Sequence, residues 1–456
     1  MILRPAIAVC LLAVSSLALS DAAPAADEIA EKVLAEDGSW GYNGPHAVYH
    51  GGKLLFNYID SDGIVWAASY DTKTGEIDRG KVWETYADLH QASSILLRPD
   101  GRVQLFVNKG GVYTDNTIFW RVSEMPSDVT AFGELQASAD VGVPQGRQPY
   151  PLIHQETGDV YVVLNVRIGG NRQTALWRST DGGDTFEEFH RLFILAPDLR
   201  SDRSYTRAYI EGDDIHMIAL RIGWNESLAG HAIGRSEGVH YIRYNVKDRA
   251  FYRADRTRSF RLEDAPVEGP ERLDTLWHWQ DDGQGQQRAM WADLVAKNGK
   301  PYAAIVVQDA APQGTSVRHE GYWATPDEQG RWQRFHVDRL ARGWDNQPER
   351  KNYAIAIDPR RPHDVFVAKS TDWERDLSQV HRLRTPDGGK TWQSVETLSR
   401  EGRVTTVVVP PQLDDTPRVF DVLWMEGRHE GWRNFNTRIV THPPHNPDRG
   451  NHNDQE

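Results

Sequence analysis

Three residue types in this sequence could serve chemistry on an acidic substrate: arginine to hold its charge, and tyrosine and histidine to move protons. Tyr205, within Arg203-Ser-Tyr-Thr-Arg207, and Arg221, at the end of Asp214–Arg221, lie sixteen residues apart on two runs that read as successive strands. A guanidinium stays charged and matches a carboxylate with two parallel hydrogen bonds, while a phenol can take up or release a proton. His90, in Asp88-Leu-His90, is a third candidate, and His46 follows Gly44-Pro45. Lys109, Arg147, Arg167 and Arg207 could complete a basic pocket, with Asn108 and Tyr150 (in Gln148-Pro-Tyr-Pro151) beside it. Each also has a purely structural reading. Tyr205 could pack between layers, Arg221 could be a surface cation, and a lone His beside a strand is more often a satisfied core residue. No phosphate-binding Gly-rich loop, Ser-His-Asp context or His-Glu-x-x-His zinc spacing is present.

These residues sit on a repeat. Turn-bounded apolar runs start at Lys53, Arg102, Asp159, Asp214, Pro301, Asp364 and Val419, with spacings of 49, 57, 55, 87, 63 and 55 residues. They are rich in Val, Ile, Tyr, Phe and Trp, and turn or polar breaks such as His50-Gly-Gly and Pro99-Asp-Gly introduce them. Seven units of this length, each with room for four strands, predict an all-β, seven-bladed β-propeller. The gap of 87 predicts an insertion within 224–288. Ser179-Thr-Asp-Gly-Gly-Asp-Thr-Phe186 and Thr385-Pro-Asp-Gly-Gly-Lys-Thr-Trp392 share one spacing, S/T-x-D-x-G-x-T-aromatic. That is the Asp-box turn of bacterial-neuraminidase-type repeats: Asp ties down a hairpin turn, Gly permits positive φ, and the aromatic packs between strands.

The 456 residues carry 65 Asp and Glu against 52 Lys and Arg, a formal net charge of −13, with 39% hydrophobic and 10% aromatic residues. Such a chain can bury a large core, and its acidity argues against non-specific nucleic-acid binding. Arg4, the apolar stretch Ala6–Leu19 and the small residues around Ala22–Ala26 predict a signal peptide over 1–26, hence a secreted or periplasmic protein. The one cysteine, Cys10, falls inside that leader, which leaves the exported chain without disulfides or Cys-ligated zinc. A single propeller is expected over 27–441 and a polar, disordered tail over 442–456. The sixteen tryptophans suit sugar stacking, although most belong to a core between blades.

Gly44-Pro-His-Ala-Val-Tyr-His-Gly-Gly-Lys-Leu54 with Asp60-Ser-Asp-Gly63, Asp88-Leu-His-Gln-Ala-Ser93 with Leu97-Arg-Pro-Asp-Gly-Arg102, and Trp291-Ala-Asp-Leu294 with Gly299-Lys-Pro301 occur in that order. Leu423-Trp-Met-Glu-Gly-Arg-His429 and Phe435-Asn-Thr437 follow. This series resembles the BNR-repeat propellers that include the ulvan lyases, over about residues 38–441. The resemblance implies a polysaccharide lyase that cleaves an ulvan-like or rhamnose–glucuronate glycan by β-elimination in a cleft across one face of the propeller. It implies Tyr205 as base and acid, Arg221 as the group that neutralises the uronate, and His90 as their assistant. The chain departs from the pattern at Asn108-Lys-Gly-Gly111: Gly110 stands where ulvan lyases carry a second His, with Lys109 adjacent. That departure puts ulvan itself in doubt more than lyase chemistry.

Two alternatives stay open. His46 supports an exo-acting α-L-rhamnosidase, since rhamnose-releasing relatives depend on a single early His, and a non-catalytic glycan-binding propeller would need neither role. A sialidase would require an Arg-Ile-Pro segment that is absent. The expected partner is an acidic polysaccharide or oligosaccharide, with no nucleic acid or membrane, and the chain is expected to be a monomer. No cofactor is certain; structural Ca2+ or Zn2+ is left open, with Asp60-Ser-Asp62 as one acidic loop that turn chemistry explains equally well.

Overall fold

A computed structural model describes residues 31–41, 44–109, 117–138, 146–168, 171–195, 203–224, 234–278, 280–281, 286–310, 317–341, 354–414, 416, 420–431 and 433–442. The expected leader and most of the tail lie outside the described residues. Seven small sheets, antiparallel except for one added strand, form a ring, a seven-bladed β-propeller. Each run identified by the repeat is the second strand of its blade, for example Lys53–Ile59, Val160–Ile168 and Asp364–Asp372. Blade neighbours cover both faces of these strands, so six of the seven residues of Lys53–Ile59 are buried in succession. The outermost strand Ile77–Glu84 has only two buried positions.

The ring closes on its own N-terminal end. Lys32–Ala35 adds as the outer strand of the last blade, pairing Lys32 with Thr441 and Val33 with Val440. The long gap in the repeat belongs to the fourth blade, where Gly234–Asn245 is flanked outside by Ala250–Tyr252 along one half and Asp274–His278 along the other. Between them, Val267–Glu268 joins the third blade in parallel with Glu188–Ile194.

The two S/T-x-D turns are built alike. Asp181 accepts from the Thr185 amide at 2.9 Å and the Ser179 hydroxyl at 2.7 Å; Asp387 accepts from the Thr391 amide at 2.8 Å and the Thr385 hydroxyl at 3.1 Å. Gly183 has φ 98° and a Cβ there would meet Gln104 Oε1 of the neighbouring blade at 2.6 Å, so only glycine fits. Phe186 then lies 4.2 Å from Trp177 and 5.6 Å from Trp120, joining the third blade to the second.

On the opposite side of the ring, Asp364 is 1% exposed and accepts from Arg382 Nε at 2.9 Å and Arg384 Nε at 2.7 Å. Removing one partner of a buried pair leaves an uncompensated charge. Asp364→Ala is therefore expected to destabilise the protein by about 3–5 kcal/mol, measured as a shift in denaturant midpoint. A shift no larger than that of an exposed control such as Gln393→Ala would show the pair to be energetically idle.

Candidate functional site

The innermost strands, among them Ala47–His50, Ser94–Leu97, Gly146–Ile153, Arg203–Glu211, Gln286–Lys297 and Ile355–Ile357, line an axial cavity of about 330 Å³. They run in the same direction, so their starts share one end of the ring with the ends of the second strands. Most residues singled out in the sequence fall at that end. His46, His90, Arg147 and Tyr205 precede or open inner strands, and Asn108, Lys109, Arg167 and Arg221 lie toward the ends of second strands; Tyr150 and Arg207 sit midway along their strands, on the cavity wall. The side chains of Lys109 and Arg221 lie outside the described residues; in register, Arg221 pairs with Ser204, one step from the Tyr205–Leu220 pair. Arg167 is exposed and pairs in register with Arg172 at the tip of its blade.

Alternation along Arg203–Glu211 divides its side chains between two blades. Tyr205, 9% exposed, joins the core shared with Trp291 and Leu220. Thr206 faces the other way, donating to Asn165 Oδ1 at 3.2 Å and lying 3.0 Å from the Thr174 hydroxyl. Asn165 in turn donates to Gln148 Oε1 at 2.9 Å. Gln148 has φ 53° at a register shift between Arg147 and Tyr150. A bulge of this kind re-aims the following side chain, and here that segment carries Tyr150.

Arg207 and Tyr150 meet at the cavity. The Arg207 guanidinium carbon lies 3.9 Å from the Trp291 ring centroid and 5.4 Å from that of Tyr150. Gly44 makes room for it, since a Cβ there would stand 2.1 Å from Arg207 Nη1. Burial pushes the Tyr150 phenol up to about 12 against the pull of Arg207. Burial, and then the same arginine, lowers His46 to about 3; the ring is stacked on Trp40 at 5.3 Å and is neutral at neutral pH. Asp293, half-buried on the cavity wall, is raised by burial, with the Ile357 amide donating to it at 3.1 Å. His46, Arg207 and Tyr150 thus come together as one cluster, and Trp291 and Asp293 complete it.

His90 sits on a single 3-10 turn, Leu89–Gln91, which Asp88 caps. Asn108 does not face outward as a substrate ligand would; its amide donates to the His90 carbonyl at 2.9 Å and ties the turn to the second blade. Gly41 packs beneath, where a Cβ would fall 1.8 Å from the Leu89 carbonyl oxygen. Gly41→Ala must therefore push the backbone that carries His90. With misplacement on the order of an ångström, turnover is expected to fall roughly 100-fold with the circular dichroism spectrum unchanged. Full activity in that variant would remove His90 from the site.

A group that could hold a metal lies at the other end of the ring: His154, Glu156 and Asp213 offer ligand atoms within 4.8 Å of one another. Lys247 already bridges it, 3.0 Å from Asp213 and 3.2 Å from Glu156, and His154 Nε2 lies 3.0 Å from Asp213. The acidic loop at Asp60 is a turn: Oδ1 accepts from the Asp62 and Ile64 amides and Oδ2 from the Trp66 indole.

A model of the BNR repeat-containing family matches residues 55–340. The chain belongs to this family. No curated protein matches it in sequence. Among solved structures it is similar to an ulvan lyase described as a new family of polysaccharide lyase, PL25, with a TM-score of 0.65 and 14% identity, covering 90% of this chain and 95% of that one. An ulvan lyase of that family bound to -[GlcA(1-4)Rha3S]- gives 0.66 and 14% over the same shares. The polysaccharide lyase Uly1 gives 0.52 and 9%, over 90% of this chain and 97% of its own. At these identities the likeness concerns the fold.

Proposed function

We propose that this BNR-repeat protein is a polysaccharide lyase that cleaves a uronic-acid glycan by β-elimination, working outside the cytoplasm to which residues 1–26 would not confine it. The observation that carries this reading is that Tyr205, His90, Arg147 and the Arg221 position all fall at one end of the ring, beside the cavity that holds Arg207, in a chain of net charge −13. Elimination needs a cation on the carboxylate, so that the C5 proton becomes acidic enough to remove, a base to take it and an acid for the departing O4. Arg221 supplies the cation and Arg207 a second one, fixed on Trp291. Tyr205 takes the C5 proton; the C4–O4 bond breaks, a C4–C5 double bond forms, and O4 takes a proton from Tyr205 or His90. The similarity in fold to ulvan lyases supports the same class.

Purified protein mixed with ulvan and with other rhamnose–glucuronate glycans tests this directly. The product double bond is conjugated to the carboxylate and absorbs in the ultraviolet, which no hydrolysis product does. A rise in absorbance is expected. Released rhamnose without absorbance would mean a hydrolase, and binding without any product would mean a glycan-binding propeller.

A further inference from the structure

We propose that Asp88 is a positioning residue for His90, holding its imidazole as the Nδ1–H tautomer so that the proton exchanged with substrate is carried on Nε2. The inference rests on the lyase reading for its consequence in turnover, but its geometric content stands apart from it. Asp88 is fully buried at the start of the turn that carries His90. Its Oδ1 accepts from the His90 amide at 3.0 Å and lies 2.6 Å from His90 Nδ1. Its Oδ2 accepts from Arg433 Nε at 3.2 Å, a residue 345 positions away on the last blade. The Arg433 guanidinium also lies 4.8 Å over the Tyr86 ring.

The chemistry follows from what each group can do. Burial, the largest single influence, opposes ionisation of Asp88, but the hydrogen bonds and charge of His90 together with the hydrogen bond from Arg433 outweigh it, and the carboxyl stays below its usual range. An ionised carboxylate only accepts, so Nδ1 must donate to it. Proton uptake and release then fall to Nε2, with the ring held in one orientation. Arg433 compensates the charge that makes this possible inside the protein. Among the described residues, the charged and titratable groups around the turn include Asp88, Arg433 and Tyr86, and Lys109 ends the strand that packs on it.

Asp88→Asn tests the assignment. The neutral amide lacks the charge that fixes Nδ1–H, and with its NH2 group toward the ring, at the expense of the bond from the His90 amide, it donates to Nδ1, reverses the tautomer and puts the proton on Nε2. The ring nitrogens of 15N-histidine-labelled protein, with His90→Gln used to identify the signal, are expected to exchange their protonated and unprotonated shifts. Turnover is expected to fall roughly 10- to 100-fold with KM little changed. An unchanged nitrogen pattern overturns the proposal, whether or not the protein proves to be a lyase; an absence of elimination in the unsubstituted protein overturns only the reading of function. Arg433→Gln, at a side chain 61% exposed, keeps the test available if the buried substitution disturbs folding. Losing that cation strengthens the pull of Asp88, so the pH at which His90 takes up its second proton is expected to rise. No movement of that titration would also overturn the proposal.

Discussion

Tyr205→Phe is expected to reduce formation of the unsaturated product by 10²- to 10⁴-fold while leaving glycan binding intact. That range is what a single general acid or base contributes, and the substitution removes nothing but the phenolic oxygen. The ring of Tyr205 belongs to the core shared with Trp291 and Leu220, so keeping the ring preserves the packing between the fourth and fifth blades. Alanine would confuse chemistry with a cavity costing several kcal/mol. Phenylalanine separates them. Turnover measured by absorbance and affinity measured by calorimetry give the two halves of the result. Equal loss of both would make Tyr205 a binding residue, and loss of neither would return it to the structural role that its burial also allows.

The repeat was readable in the sequence because of where its signal comes from. Second strands are covered on both faces, so runs such as Val160–Ile168 are nearly continuous in buried apolar residues. Innermost strands carry no such signal. Gly146–Ile153 holds a glycine, two prolines and a bulge with Gln148 at positive φ, because it must both line the cavity and turn Tyr150 toward Arg207. Candidate residues could be placed on strands from the sequence, but their partners could not. Arg433 reaches Asp88, and Lys32–Ala35 closes the last blade, only because ring closure brings the ends of the chain together. Trp291 was visible as a motif without a role, since nothing in sequence pairs it with Arg207. Asn108 was legible as a site residue, but its hydrogen bond to the His90 carbonyl was not.

The same burial that shapes the site makes the fold sensitive to mild acid. His46, His216 and His429 are each lowered to about 3, in every case by burial first, with Arg207 adding to it at His46 and Arg243 at His216. A histidine lowered on folding is protonated in the unfolded chain below about pH 6.5 but stays neutral in the native state. Between that value and about 3 the unfolded state binds more protons, so stability rises with pH through this window and falls as pH drops. From pH 7 to pH 5 each such residue removes about 2 kcal/mol, and three acting together remove a large part of what holds a typical domain. Carboxylates held low add a second loss only in stronger acid: Asp181, whose burial is outweighed by hydrogen bonds from Thr185 and Ser179, sits at about 2, and Asp364 is lowered by Arg384 and Arg382 against its own burial. Denaturant midpoints are therefore expected to fall steeply between pH 7 and pH 5, well above the range in which carboxylates titrate. His216→Gln removes one of the three titrations while offering the Tyr241 hydroxyl, 2.8 Å from His216 Nδ1, another hydrogen-bonding side chain. Its slope over this interval should drop by about one third; an undiminished slope would place the acid sensitivity in groups other than these buried imidazoles.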